Sequence, residues 1–233
     1  MKRKPVIAID GPAGAGKSTL ARGLAGRLGL TYVDTGAMYR AVAWKALHLG
    51  ADLDDPRALG RLASRLKISF KKVPKGAQKV YADGRDVTEA IRTPEATQAA
   101  SVVAAVPSVR QALVRRQREL GKGGGVVMEG RDIGTVVFPK ADFKVFIDAS
   151  VKERARRRFE EMKAKGSGVS LSAIEAAIRR RDRRDRNRED SPLRPAPDAR
   201  IVDTTTFTPE KTLETLSGLI QKSLSPRRKG TSS

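Results

Sequence analysis

The sequence predicts an α/β fold with a five-stranded parallel sheet between layers of helices. Short, nearly continuous apolar runs recur along the chain, helical patterns separate them, and the first run leads into a glycine-rich loop that opens a helix. The runs are VIAID (6–10), LTYVD (30–34), GVVME (125–129), KVFIDA (144–149) and ARIVDT (199–204). They lack the polar alternation of a half-exposed strand, as expected of parallel strands covered on both faces. Helical patterns occupy 17–28, 37–48, 107–120, 151–165, 171–187 and 209–224.

Two stretches depart from this alternation. From Lys67 to Ile91, alternating residues around the Asp83-Gly84 turn signal predict a small antiparallel β unit. Residues 152–188 carry 14 Lys/Arg against 6 Asp/Glu, with Gly166-Ser167-Gly168 between two helical patterns. That composition suits a hinged helical hairpin over an anionic site. The expected organisation is one domain over 1–224: a core of 1–60, 92–150 and 190–224, an insertion at 61–91 and a lid at 151–189. The basic tail SPRRKGTSS (225–233) is expected to be disordered.

Composition narrows the chemistry. The 233 residues are 39% hydrophobic and 31% charged, as in a soluble globular domain. No apolar run approaches the ~18 residues of a membrane span, and the basic-then-apolar opening MKRKPVIAID reads as a first strand rather than a targeting signal. The lack of cysteine excludes disulfides, thiolate metal sites and cysteine nucleophiles. His48 is the one histidine, expected as a packed or surface residue near a helix end. Catalysis therefore falls to Lys, Arg, Asp, Glu, Ser and Thr, an inventory that suits phosphoryl transfer. The net charge of +21 favours nucleotides or nucleic acid without choosing between them. Aromatics at 4% argue against a base-stacking surface, so nucleic acid is expected to bind only non-specifically.

The segment GPAGAGKST fits the phosphate-loop pattern in its required setting, after a strand and opening a helix. Its nine residues, Gly11, Pro12, Ala13, Gly14, Ala15, Gly16, Lys17, Ser18 and Thr19, are the candidate ATP site. Glycines let backbone N–H groups wrap phosphate oxygens, and the helix N-terminus adds partial positive charge. Lys17 can reach the β- and γ-phosphates, and Ser18 can ligate Mg²⁺. The loop does not name the acceptor.

Further motifs follow later strands: DTGAMYR (34–40) and EGRDIGTVVFP (129–139), then RRRDRRDRNRED (179–190) on a helix. Strand carboxyl ends are where open α/β sheets place ligands. Arg40 can point at an acceptor phosphate from a rigid base, its planar fork matching phosphate oxygens. Arg181, Asp185 and Arg188 fall at i, i+4 and i+7, on one helical face.

Together with GPAGAGKST, in this order and spacing, these motifs resemble the bacterial cytidylate kinase family over roughly residues 5–220. The resemblance implies a P-loop kinase fold with an acceptor-binding insertion, a mobile lid, and phosphoryl transfer from Mg²⁺-ATP to CMP or dCMP. It assigns Arg131 to the acceptor phosphate and Asp132 to the cytosine amino group, the contact by which carboxylates read cytosine in nucleic acids. Ser101 and Arg110 would read the base, Arg181 and Arg188 phosphate, and Asp185 the ribose hydroxyls. Thr35 and Arg40 complete the acceptor site, and the catalytic set is Lys17, Arg131, Arg181 and Arg188. Arg154, Arg157 and Arg158 are lid arginines able to close over ATP, the last two forming part of the ATP site. Glu129 stands where one common family form has Asp, either being suited to the metal's waters. Thr35 stands where some members have Ser. Other acceptors fit the same loop: UMP, another nucleotide, or a metabolite such as shikimate. A monomer in the cytoplasm, with no membrane partner, is the expected setting.

Overall fold

The computed structural model describes residues 3–73, 78–164, 166 and 168–224. Ser167 of the expected hinge and the tail 225–233 lie outside the described residues. Five parallel strands form the main sheet: β1 (Val6–Asp10), β2 (Thr31–Asp34), β6 (Val126–Gly130), β7 (Phe143–Asp148) and β8 (Arg200–Asp203), in the order β2-β6-β1-β7-β8. Each is within one or two residues of its expected run. The offset at β6 has a local cause: Gly124 and Gly125 take left-handed φ values of 70° and 73°, which no extended strand accommodates.

Side chains alternate across the sheet, and both faces are apolar. Ile7, Ile9, Val127, Val145 and Ile147 pack against Leu20 and Leu24 of α1 (Lys17–Leu28) and against Leu216 and Ile220 of α8 (Pro209–Leu224). Ala8, Val33 and Met128 face the other way, onto Val114 of α5 (Pro107–Gly121) and onto Ile133 and Val137 of a π-helical turn, Ile133–Val137. A separate core joins α2 (Thr35–His48), α3 (Pro56–Arg65), α4 (Pro94–Val103) and α5 to the small sheet. That sheet is antiparallel: β3 (Ile68–Lys72), β4 (Gln78–Ala82) and the short β5 (Arg85–Asp86).

Helix α2 starts two residues earlier than its apolar pattern, because Asp34 caps it by accepting from Ala37 N at 2.9 Å. Its last residue, His48, stacks on Trp44 with ring centroids 5.2 Å apart. Helices α3 and α4 were not expected. Both open on a polar cap followed by proline, Asp55-Pro56 and Thr93-Pro94, with the cap side chains bonded to N–H groups of the first turn. In α4 the buried residues are mostly alanine, so the apolar signal was weak.

Helices α6 (Val151–Lys163) and α7 (Leu171–Asn187) form a hairpin with its own cluster of Ala155, Ile174 and Ile178. No described helix is long and apolar enough to cross a membrane.

The register fixes what lies along the carboxyl edge. Asp10 pairs with Gly130, Asp34 with Glu129, and Asp148 with Asp203, so the segments that follow these strands emerge side by side. Gly11 makes the first of these turns possible. Its φ is 144°, and a Cβ there would stand 1.9 Å from Ile147 O. Rotamer choice cannot relieve a backbone clash, so Gly11→Ala is expected to cost about 2–4 kcal/mol. The check is a lower urea midpoint with an unchanged m-value.

Candidate active site

The glycine-rich loop leaves β1 with left-handed φ values at Gly14 (79°) and Gly16 (86°), which turns its N–H groups inward. Gly16 caps α1 without a side-chain bond, and no acidic residue sits in the first turn. The helix N-terminus is thus left open to an anion. Lys17 is folded back and buried, its Nζ donating to Pro12 O at 2.6 Å. Burial, then the charge of Arg131, pulls its ammonium down to about 7. Ser18 and Thr19 are exposed.

Ser18 Oγ donates to Glu129 Oε2 at 3.0 Å, and Tyr32 donates its hydroxyl to the other oxygen, Oε1. Glu129 is buried, which raises its pKa, and the nearby Asp34 carboxylate adds to the rise. Among the described residues no three His, Cys, Asp or Glu cluster as a metal cage. A hydroxyl beside one carboxylate is a hard-oxygen donor set, which suits Mg²⁺ carried largely by phosphates and water.

The turn after β6 is held from below. Asp10 accepts from Ile133 N and Gly134 N, both at 2.7 Å, and so caps the π-helical turn that follows Arg131 and Asp132. Burial pushes this carboxyl up to about 6, against the two hydrogen bonds. Thr35 Oγ1 donates to Glu129 O at 2.7 Å and ties the start of α2 to the end of β6.

The acceptor candidates face this turn. Asp132 forms a buried ion pair with Arg110, whose guanidinium also lies over the Tyr39 ring at 5.8 Å. Arg110 Nη1 reaches Ala104 O at 3.3 Å, one helical turn beyond Ser101. Arg131 Nε donates to Asp185 Oδ2 at 2.9 Å. Burial pushes Asp185 up, but Arg131 and Arg181 outweigh it and hold the carboxyl below its usual range. Burial, then the like charge of Arg131, lowers Arg181 to about 10. Arg40 pairs with Asp34 at 2.8 Å. Arg188 does not share the helical face of Arg181 and Asp185 that its spacing predicts: α7 ends at Asn187, and Arg188 is extended (φ −67°, ψ 141°), donating from Nε to Ser191 O at 2.5 Å.

The cationic groups form an electrostatically continuous set. Arg131 and Arg181 act on Lys17, Arg40 acts on Arg181, and Arg110 acts on Arg188. Around it, Arg40 Nε, Ser101 Oγ, Arg181 Nε and Arg188 Nη2 are buried and have no hydrogen-bond partner within the protein. Such atoms are uncommon in folded proteins and are satisfied by water, an ion or a bound group. Beside Arg188, a cavity of about 490 Å³ opens between Ala105 and the α7 residues Arg180, Arg183, Arg184 and Asn187.

The lid arginines separate. Arg154 is buried, bonded to Ala149 O and Ala13 O at 2.9 and 3.1 Å and to both Asp182 oxygens. Arg157 bonds Glu153 and Thr204 O, and a Cβ on Gly16 would lie 3.8 Å from its Nη1. Arg158 pairs instead with Glu161 at 3.0 Å on the exposed side, so the structure does not bring it to the loop. Sequence reasoning did not single out Asp10, Tyr32, Tyr39 or Asp182. Tyr39 stood within DTGAMYR and Asp182 within RRRDRRDRNRED; Asp10 and Tyr32 carried no signal beyond their residue type.

A cation whose folded pKa is lowered binds fewer protons folded than unfolded. For Lys17 that deficit spans pH 7 to 10.5, so stability rises with pH across this window. The nucleotide-free protein is therefore expected to show a urea midpoint that climbs between pH 7 and 9. In Lys17→Met, or with pyrophosphate bound, the climb should shrink, as equilibrium denaturation at each pH would show.

Comparison with known proteins follows the same lines. Residues 7–222 match the cytidylate kinase family. A cytidylate kinase of Pelotomaculum thermopropionicum is 53% identical over 214 residues, covering 92% of this chain and 95% of that protein. A bifunctional pantoate ligase/cytidylate kinase of Synechococcus sp. (strain JA-3-3Ab) is 56% identical over 204 residues, covering 87% of this chain. The match spans only 38% of that longer protein. A crystal structure of an uncharacterized protein from Eubacterium ventriosum shares the fold, with a TM-score of 0.54 at 12% identity, covering 95% of this chain and 99% of that one. With the phosphate loop, the strand-end arginines and a family match across nearly its whole length, this chain belongs to the cytidylate kinase family.

Proposed function

We propose that the protein transfers the γ-phosphoryl group of ATP to CMP or dCMP, giving ADP and CDP or dCDP. One observation carries this reading: Arg131 and Arg181 act on Lys17 of the phosphate loop, Arg40 acts on Arg181, and Arg188 lies beside the buried Asp132–Arg110 pair. They offer positive charge for phosphates at one end and hydrogen-bonding groups for a base at the other.

The acceptor needs no general base. A phosphate monoester loses its second proton near pH ~6, so CMP is largely a dianion at neutral pH. One of its oxygens attacks the γ-phosphorus in line; the new P–O bond forms as the bond to the β-phosphate oxygen breaks, and ADP leaves with the electron pair. Lys17 neutralises charge on the β- and γ-phosphates, whose negative field restores its proton. Arg131, Arg181 and Arg188 hold the acceptor phosphate and the group in transfer, with Arg40 behind them. Mg²⁺, bound with ATP, would add charge neutralisation, held by Ser18 and by waters on Glu129.

Cytosine presents an amino donor at position 4 beside ring acceptors. Asp132 accepts from the amino group, while Arg110 and Ser101 supply donors. Uracil would set a carbonyl against the Asp132 carboxylate, acceptor against acceptor. Asp185, fixed by Arg131, faces the ribose hydroxyls. The α6–α7 hairpin acts as the lid, and Arg157 beside Gly16 is its nearest group to the ATP phosphates. Closure would keep water from taking the phosphoryl group.

An ADP-release assay with each nucleoside monophosphate tests the reaction. Strong turnover with CMP and dCMP, weak with UMP and negligible with AMP, GMP and dTMP is expected. Activity on none of them would overturn the proposal. Ser101→Ala gives a second test. Its hydroxyl bonds nothing in the free protein, so melting temperature should hold or rise, while KM for CMP rises about 5-fold with KM for ATP unchanged.

A further inference from the structure

We propose that Tyr32 is a positioning residue for the metal side of the donor site, holding Glu129 so that Ser18 presents its lone pairs outward. The inference rests on the proposed use of Mg²⁺-ATP and adds a residue to it.

The geometry is a relay of two hydroxyls through one carboxylate. Asp34 of β2 stands opposite Glu129 of β6. Tyr32, two residues earlier on the same strand, projects to the same side. Its hydroxyl donates to Glu129 Oε1, and Ser18 Oγ donates to Oε2 at 3.0 Å. A terminal carboxylate torsion is soft and turns freely unless both oxygens are engaged. A serine hydroxyl carries one hydrogen and two lone pairs. With its hydrogen committed to Oε2, the lone pairs of Ser18 point away from Glu129, as a cation ligand must.

Tyr32 is suited to this task. Burial above all, with the Asp34 and Glu129 charges, pushes its phenol far up, so it stays a donor. Its own backbone is anchored, since Gln78 Nε2 of β4 donates to Tyr32 O at 2.7 Å. Phenylalanine would keep the ring and its packing but leave Oε1 with no donor.

The test compares the wild-type protein with Tyr32→Phe in the full chain. ADP affinity is measured by calorimetry in Mg²⁺ and in EDTA, and Mn²⁺ in the protein–ADP complex is followed by electron paramagnetic resonance. The gain in ADP affinity conferred by Mg²⁺, and the affinity for Mn²⁺, are expected to fall about tenfold in Y32F, the usual scale for groups that orient metal ligands. ADP affinity in EDTA and KM for CMP should stay within about twofold, and kcat should recover at high Mg²⁺.

An unchanged Mg²⁺ gain would overturn the assignment. So would an equal loss in EDTA, which would make Tyr32 a packing residue only. Glu129→Gln supplies an independent arm: it should show the same metal-specific loss, and adding Y32F to it should cost little more. Additive losses would contradict the relay even if Y32F alone folded poorly. The calorimetric and Mn²⁺ readouts use ADP and metal without an acceptor, so a wild type inactive on CMP would sink the functional proposal and leave those two arms intact.

Discussion

Charged groups of both signs are packed out of water at the carboxyl edge of the sheet, cations against cations as well as against carboxylates. Lys17, Arg40, Arg131, Arg181 and Arg188 converge there, while Asp34 and Asp185 engage Arg40 and Arg131, and Asp132 is taken by Arg110. Burial is the first cause of the depressed pKa values of Lys17 and Arg181, and the like charge of Arg131 is the second. The free protein holds like charges close together against their repulsion. An incoming anion meets cations already gathered there, with Lys17 turning from Pro12 O to reach it, and such a set favours a transition state with charge spread over phosphoryl oxygens.

Such an arrangement survives only on a rigid frame. The segments after β1, β2 and β6 emerge in register, so the phosphate loop, the Asp34–Arg40 turn and the Arg131–Asp132 turn are placed by the sheet rather than by their own contacts. Buried polar groups then lock them. Asp10 bonds the π-helical turn through two backbone N–H groups, and Thr35 bonds the end of β6. Asp34 caps α2 with one oxygen and holds Arg40 with the other, so a single carboxylate sets a helix start and the direction of a site arginine.

The sequence made the frame legible because parallel strands buried on both faces leave unbroken apolar runs, and because the loop GPAGAGKST is constrained at nearly every position. Helix α4 escaped because its buried face is mostly alanine, whereas α3 carries a short stripe of Leu59, Leu62, Ala63 and Leu66 at helical spacing that was legible and was missed. Within the site, Arg110 pairs with Asp132 while Arg131 acts on Lys17; Lys17, Arg131 and Asp132 could be named from motifs and Arg110 from the family resemblance. Their partners could not. Tyr32 and Asp10 reach Glu129 and the π-helical turn across about 97 and 123 residues of chain, and no local pattern encodes such distances. The lid arginines show the same limit. Arg157 and Arg158 lie three and four residues beyond Arg154, nearly equivalent positions on a helix. What separates them is the nearest acceptor: Glu153 and Thr204 for Arg157, Glu161 for Arg158.

The same partners define how the proposed lid would move. Its root is fastened by the buried Arg154–Asp182 pair, which joins the two helices to each other and, through Ala13 O, to the phosphate loop. Breaking one side of a buried pair leaves an uncompensated charge at a cost of about 3–5 kcal/mol, so motion should spare it. Toward the far end, α6 and α7 are joined by a small cluster of Ala155, Ile174 and Ile178, and the residues leading into α7 are exposed. Closure is therefore cheapest as a swing of the hairpin about its root. The arginines near that root, Arg154 and Arg157, then keep their relation to the loop throughout the stroke, while a cation further along the hairpin, the exposed Lys163, sweeps the larger arc. A kinase that must exclude water without disturbing its phosphate contacts would place its fixed and moving cations in that order.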